Sequence, residues 1–426
     1  MTENTEIELE NVIIVGVDCG EVDDFNHSMD ELKALAEACN KNVVGCITQK
    51  MEGVNKAFYI GSGKVEEVKE MAQHFGAGEI IFDNTLTPSQ IRNLGREIEL
   101  PILDRNNLIL DIFAIRAKTK EAKLQVETAR LQYMLPRLVG MHEALSRQGG
   151  ASGSMSNKGT GEKKLELDRR KIEHRISELG KELNEIAGNR MTQRKRRSES
   201  AIPQVSLVGY TNAGKSTIMN RLIEKYGSAE NKMVFEKDML FATLETSVRH
   251  IETGDHKSFF LADTVGFIHR LPHGLVKAFQ STLEEVKYAD LLIQVVDYSD
   301  DNYKQHMEVT AETLKELGAG DIPQIIVYNK SDKKDIDVLP KVYGDQIHMA
   351  AGKNIGLDEL VDLIKSKLYA ANLNCKFLFP YDSAKIASYF MEQATVLETE
   401  YREEGIYLVV NCRKKDAEKY IGYLID

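Results

Sequence analysis

The chain has 426 residues, 28% of them charged, with 55 Lys/Arg against 66 Asp/Glu and a formal net charge of −11. That length allows two to four domains, each with its own core, and the acidic balance argues against a uniformly basic nucleic-acid binder. Five scattered cysteines (Cys19, Cys39, Cys46, Cys375, Cys412) lack paired or metal-ligand spacing, and no apolar run nears the roughly 20 residues of a membrane span. The polar, acidic start Met1–Glu6 is no signal peptide, so the expectation is a soluble, cytoplasmic protein.

Residues 1–113 read as a small parallel α/β domain. Val12–Val17, Val43–Ile47, Glu79–Phe82 and Pro101–Leu103 read as strands. Between them lie a helix capped by Ser28 and helices over Val65–Phe75 and Pro88–Leu94. Gly61-Ser62-Gly63-Lys64 opens a helix but has Val65 where a phosphate loop needs Ser or Thr. A structural turn and a second nucleotide or RNA-phosphate site both remain open there.

Residues 114–187 read as two long helices. Leu124, Thr128, Leu131, Leu135 and Leu138 form one apolar seam, and Leu165, Ile172, Ile176, Leu179, Leu183 and Ile186 form a second. Matching stripes predict an antiparallel hairpin, with Pro136 kinking or ending the first helix. The span 149–161 holds five glycines and reads as a mobile loop. The segment 114–200 carries 20 Lys/Arg and 11 Asp/Glu, whereas the remainder carries 35 and 55. Arg147, Lys158, Lys163, Lys164, Arg169 and Arg170 around the loop are candidate RNA contacts. So are Arg194, Lys195, Arg196 and Arg197 in the linker 188–200. No aromatics are interleaved, so phosphate and shape contacts are expected rather than base stacking. A solvated, charged helix pair is the competing reading.

Residues 201–368 carry the chemistry. Gly209-Tyr210-Thr211-Asn212-Ala213-Gly214-Lys215-Ser216 fits the phosphate-binding loop G-x-x-x-x-G-K-[ST], between a strand at Val205–Val208 and a helix from Thr217. Its backbone N–H groups would wrap the phosphates, with Lys215 reaching the β/γ-phosphates and the Ser216 hydroxyl on Mg²⁺. Asp263-Thr264-Val265-Gly266 follows a strand; Asp263 can hold Mg²⁺ through water and the Gly266 N–H can meet the γ-phosphate. Asn329-Lys330-Ser331-Asp332 is an N-K-x-D signature in which the Asp332 carboxylate can accept from guanine N1–H and the exocyclic amine. Adenine lacks that donor pair, so the nucleotide expected is GTP, hydrolysed to GDP and phosphate. Phe241-Ala242-Thr243-Leu244-Glu245 lies where a switch segment belongs, with Thr243 as the conditional Mg²⁺ ligand. Met349-Ala350-Ala351 should close the guanine pocket through a backbone N–H.

Phe267 stands where many GTPases place a water-orienting Gln, so slow intrinsic hydrolysis is expected. Lys215, Thr243, Gly266 and Asn212 are the residues expected to act in the reaction. Asn212 is read either as holding K⁺ or as shaping the loop. Residues 369–426 read as a small α/β docking module with a helix over Ala384–Met391, a hairpin over Thr395–Tyr401 and Gly405–Asn411, and a helix over Ala417–Leu424.

The chain resembles the HflX family of ribosome-associated GTPases over roughly residues 11–426. The resemblance lies in Asp104-Arg105 with Leu108–Ala114, Lys123–Glu127, Leu145-Ser146-Arg147-Gln148-Gly149-Gly150, Gly161–Arg170, the phosphate loop through Thr217, Phe241–Leu244 and Asp263–Ile268. The segment Ala151–Lys158 departs from it, being longer and less glycine-rich. The resemblance implies binding to the large ribosomal subunit and whole ribosomes in the GTP state. The N-terminal domain and hairpin would face the peptidyl-transferase region and promote splitting or rescue of stalled ribosomes. From it come ribosomal RNA as partner, no DNA, and a monomer. The rivals are a GTP-dependent protein-binding switch, a tRNA-modification GTPase, for which no modifying domain or reactive Cys is found, and an ATP-using remodeller.

Overall fold

A computed structural model describes residues 9–20, 24–148, 158–199, 202–227, 240–241, 246–253, 257–270, 285–334, 336, 338–370 and 372–425. They fall into two compact units. The first holds residues to Met191 together with Leu240, Phe241 and Arg270, and the second holds the rest.

The first unit begins with the parallel strands β1 (Glu10–Asp18), β2 (Lys41–Lys50), β3 (Glu79–Phe82) and β4 (Ile102–Asp104) in the order β2-β1-β3-β4. The helices α1 (Phe25–Ala38), α2 (Ser62–Phe75) and α3 (Pro88–Ile98) connect them. Apolar residues fill β1 and β3, as strands covered on both faces require. Thr87 and Gln90 close a capping box at the start of α3, with Pro88 in its first turn. Ser28 is not the cap expected of it. The Asp24 carboxylate accepts the His27 N–H and starts α1 earlier, which leaves Ser28 inside the helix with its hydroxyl donating to Asp83 at 2.7 Å.

Three helices rather than two come next: α4 (Arg105–Arg116), α5 (Lys120–Gln148) and α6 (Lys158–Glu199). Leu108, Ile109, Leu110, Ile112 and Phe113 of α4 are buried on either side of Asp111, a face too broad to show a narrow amphipathic seam that would separate α4 from α5. Pro136 does not end α5, which continues to Gln148. The ion pairs Arg175–Glu127 at 2.8 Å and Lys120–Glu182 at 3.4 Å run in opposite senses along α5 and α6, as an antiparallel hairpin demands. Of the glycine-rich loop, residues 149–157 lie outside the described residues and Lys158–Gly161 begin α6; residues 188–199 are its far end.

A buried charge network ties α4 to the sheet. The Arg105 guanidinium, 2% exposed, donates to Asp83 at 2.7 Å and also to Glu31 of α1. Asp104 caps α4 through the Asn107 N–H and accepts from Tyr133 and Arg137 of α5. Arg270 lies 3.6 Å from the same Asp83, and the Phe241 ring meets Phe113 edge-on at 4.7 Å. Such a ring pair contributes about 0.5–1.5 kcal/mol beyond its buried area.

The second unit contains a seven-stranded sheet in the order β10-β11-β9-β8-β5-β7-β6. Its strands are β5 (Gln204–Val208), β6 (Ser247–Glu252), β7 (Ser258–Asp263), β8 (Leu291–Asp297), β9 (Gln324–Asn329), β10 (Lys341–Tyr343) and β11 (Gln346–His348). Only β6 and β10 run antiparallel to their neighbours. Among the described residues the helices α7 (Lys215–Tyr226), α8 (Tyr303–Glu316) and α9 (Leu357–Leu368) accompany this sheet.

A further four-stranded antiparallel sheet is built from β12 (Leu373–Phe379), β13 (Thr395–Arg402), β14 (Gly405–Cys412) and β15 (Leu424–Ile425) in the order β13-β14-β12-β15. Two helices, α10 (Ala384–Gln393) and α11 (Lys414–Lys419), cover one face, with Phe390 of α10 packed in one core with Phe377, Phe379 and Leu408 of the sheet. The central strand β12 went unread in the sequence, and the last helix is shorter and earlier than expected, because Leu424–Ile425 pair with β12 as a strand. Among the described residues no helix is long and apolar enough to cross a membrane.

Replacing Arg105 with Ala would remove the buried guanidinium shared by Asp83 and Glu31, a loss of about 3–5 kcal/mol. Urea unfolding of the full chain measures it. Arg175→Ala, which breaks an exposed pair on the hairpin, should leave the midpoint unchanged within error.

Candidate active site

Parallel strands place their following loops at one edge of a sheet, and open α/β folds bind ligands there. The loops after β5, β7, β9 and β11 are the four that carry the phosphate-loop, Asp263–Gly266, Asn329–Asp332 and Met349–Ala351 segments.

The phosphate loop leads directly into α7, which begins at Lys215. Gly214 has φ +96°, and a Cβ there would lie 2.2 Å from the Asn329 side-chain nitrogen, so only glycine fits. Asn212 sits in the left-handed region at φ 59°, a conformation that Asn tolerates better than most residues. Its carbonyl accepts from the Lys330 ammonium at 2.9 Å. The Lys215 ammonium donates to the carbonyls of Gly209 and Tyr210 at 3.0 and 2.7 Å. Burial lowers its pKa to about 8, against a smaller opposing pull from Asp263.

The Ser216 hydroxyl lies 2.7 Å from an Asp263 carboxylate oxygen, and Asp263 is fully buried. A hydroxyl beside a buried carboxylate is a hard-oxygen set that fits Mg²⁺, with Ser216 able to coordinate the ion and Asp263 to hold one of its waters. Thr264 donates to the Leu207 carbonyl at 2.6 Å and fixes the start of the segment. Thr217 is the third residue of α7.

Three of the four loops meet at Asn329. Its amide donates to the Ala213 carbonyl at 2.9 Å and its oxygen accepts the Ala351 N–H at 3.0 Å. Ser331 N donates to the Met349 carbonyl at 3.1 Å, and Met349, Ala350 and Ala351 are buried. Asp332 pairs with Lys353 at 2.9 Å, and this hydrogen bond holds its carboxyl below the usual range. An ionised Asp332 suits two N–H donors on a guanine edge. Lys353 was not singled out in the sequence, nor was Asp297, which pairs with Lys330 at 2.7 Å. A charged residue ending the apolar run of β8 was the available signal for Asp297.

The remaining expected residues are placed differently. Phe241 is 2% exposed and packs on Phe113; Ala242, Thr243, Leu244 and Glu245 lie outside the described residues. Arg169 and Arg170 bond to Glu173 and Glu166 on their own helix. Arg147 is near the end of α5, Lys158, Lys163 and Lys164 are in the first turns of α6, and Arg194, Lys195, Arg196 and Arg197 are near its end. Gly61 caps α2, and Lys64 pairs with Glu67 at 2.7 Å, consistent with a structural turn.

A strand-to-helix phosphate loop, an N-K-x-D segment bound to it and the surrounding mostly parallel sheet define a P-loop GTPase, a GTP hydrolase that binds GTP and GDP. Family profiles agree: "GTP-binding GTPase N-terminal" matches residues 26–114, "GTP-binding GTPase Middle Region" 116–197 and "50S ribosome-binding GTPase" 204–330. The chain is 43% identical to the GTPase HflX of Caldanaerobacter subterraneus subsp. tengcongensis, over 98% of this chain and 94% of that one. It is 36% identical to the GTPase HflX of Escherichia coli, over 88% and 87%. A GTP-binding protein from the archaeon Sulfolobus solfataricus, solved with GDP, aligns over 84% of this chain and 98% of that one at 27% identity and a TM-score of 0.44. The chain belongs to the HflX GTPase family.

The buried lysine gives a pH signature. Its folded pKa lies below the unfolded 10.5, so the unfolded chain holds more protons between about 8 and 10.5, and stability rises with pH across that window. Phosphate binding favours the charged ammonium, so GDP binding must take up a proton above pH 8. GDP titrations between about pH 7 and pH 9 should show affinity flat at first and then falling, by up to about tenfold per unit. A flat profile throughout would contradict the buried, unprotonated state.

Proposed function

We propose that this GTPase binds the large ribosomal subunit in its GTP state and promotes splitting or rescue of stalled ribosomes. The observation that carries the reading is the match of residues 204–330 to a ribosome-binding GTPase profile, together with HflX relatives over nearly the whole chain. The excess of 20 Lys/Arg over 11 Asp/Glu in 114–200, on an antiparallel hairpin in an otherwise acidic chain, supports ribosomal RNA as the surface met. Such a partner would keep the protein in the cytoplasm, where it acts as a monomer.

Mg²⁺ would be held by Ser216 and, through water, by Asp263, with Thr243 joining in the GTP state; it would offset charge on the β/γ-phosphates. Lys215, on the first turn of α7, would turn from the loop carbonyls to the phosphates, and the Gly266 N–H would meet the γ-phosphate. Asp332 would read guanine, with Asn329 and Ala351 holding the pocket shut behind it. K⁺ beside Asn212 would supply positive charge in place of an arginine side chain. The left-handed backbone of Asn212 equally supports a purely shaping role.

GTP turnover measured in potassium buffer, with and without purified large subunits, tests the reading. Stimulation of about a hundredfold or more, on the scale of activator-assisted GTPases, is the expected result. No stimulation and no co-sedimentation would leave a GTP switch for another partner, and equal rates in Na⁺ would remove the K⁺.

A further inference from the structure

Phe267 follows Gly266, at the place from which a side chain could orient the attacking water. Its ring is 1% exposed and lies in an apolar cluster with Val208, Val286, Leu292 and Leu314, so it takes no part in holding water. What the chain controls at this point is backbone.

That backbone is registered on the phosphate loop by three hydrogen bonds. Phe267 N donates to the Gly209 carbonyl at 3.1 Å, and Thr211 N donates to the Phe267 carbonyl at 2.8 Å. Two residues on, His269 N donates to the Tyr210 phenol oxygen at 2.7 Å. The approach is close enough that a Cβ on Gly266 would lie 2.7 Å from the Thr211 Cα and 3.0 Å from the Lys215 ammonium.

The phosphate-loop pattern leaves the position after its first glycine open, so nothing in phosphate binding asks for a tyrosine there. Tyr210 is 6% exposed, and its ring stacks on His306 of α8 with centroids 3.8 Å apart and planes 10° from parallel. His306 is itself buried, which leaves the phenol little freedom to swing away from His269.

The geometry points to Tyr210 as a positioning residue for hydrolysis: its phenol, held by His306, fixes the 265–269 backbone against the phosphate loop. The water that Phe267 cannot orient is then placed by main-chain groups whose position Tyr210 sets, an arrangement in which small displacements cost large factors in rate. This inference rests on the GTP site assigned above and is independent of the ribosomal role.

The test compares the full chain with Tyr210→Phe, His306→Ala and the double variant in single-turnover GTP hydrolysis and in GDP titration. Tyr210→Phe keeps the stacked ring and loses the hydrogen-bond acceptor. Hydrolysis should fall about tenfold while GDP affinity stays within about twofold, since the part-buried His269 N–H loses this acceptor at the segment that moves the chemistry. His306→Ala should slow hydrolysis too, and the double variant should be no slower than Tyr210→Phe alone. Wild-type hydrolysis in Tyr210→Phe, a joint loss of hydrolysis and GDP affinity, or additive losses in the double variant would each overturn the inference. Wild-type-like hydrolysis in Lys215→Ala would overturn the site assignment itself, and the Tyr210 role with it.

Discussion

The side-chain amide of Asn329 is the constraint on which the nucleotide site depends. One end donates to the phosphate loop at Ala213 and the other accepts from the closing loop at Ala351, and the residue is 2% exposed. A buried amide with both ends satisfied by main chain cannot shift without leaving polar groups unpaired, so it locks the two loops at one separation. Gly214 is a consequence, because any side chain at that position would collide with the amide. Lys330 repeats the device at the rim, joining Asn212 to Asp297 at the end of β8. Segments more than a hundred residues apart in sequence thereby become one pocket, with |i−j| of 116 and 118 for these two links to the phosphate loop.

Charge is handled in two ways within the first unit. Around its sheet, Arg105, Asp83 and Glu31 are buried and satisfy one another, and Asp104 gathers Tyr133 and Arg137 from α5. Pairs of this kind stabilise less than their Coulomb energy suggests, but they fix which helix meets which strand. On the hairpin, Arg169, Arg170 and Arg175 are exposed and paired with glutamates along or across the helices. Those pairs are weak and exchangeable, which suits a surface whose partner would be phosphate. Phe241 and Arg270, from the GTPase part of the sequence, pack with Phe113 and Asp83 in the first unit, next to the buried network.

The site was legible in the sequence wherever chemistry demands a residue type at a fixed spacing. Gly214, Lys215, Ser216, Asp263, Asn329 and Asp332 are such positions, and the strands before them are short apolar runs that only a buried parallel sheet explains. The Met349–Ala351 segment departs from its expected role, since its three N–H groups donate to the Tyr328 and Ile355 carbonyls and to the Asn329 side chain. Lys353 and the Tyr210–His306 stack were not legible, because each is defined by a partner distant in sequence. In the fold, the losses have local causes. α4 buries Leu108–Leu110, Ile112 and Phe113 over so broad a face that no single-sided period shows, Asp24 outcompetes Ser28 as cap, and Pro136 is carried inside a helix stabilised by tertiary packing. β12 alternates buried Cys375, Phe377 and Phe379 with more exposed residues, a period-2 pattern that was present in the sequence and went unread.

The central claim is that one guanine-specific pocket, read by Asp332 and held by Asn329, runs this protein. Binding of GDP and xanthosine diphosphate to Asp332→Asn tests it most directly. An amide in place of the carboxylate offers one acceptor and one donor, so GDP affinity is predicted to fall by a hundredfold or more while xanthosine diphosphate binds in its place. GDP binding at wild-type strength, with xanthosine diphosphate still excluded, would contradict it.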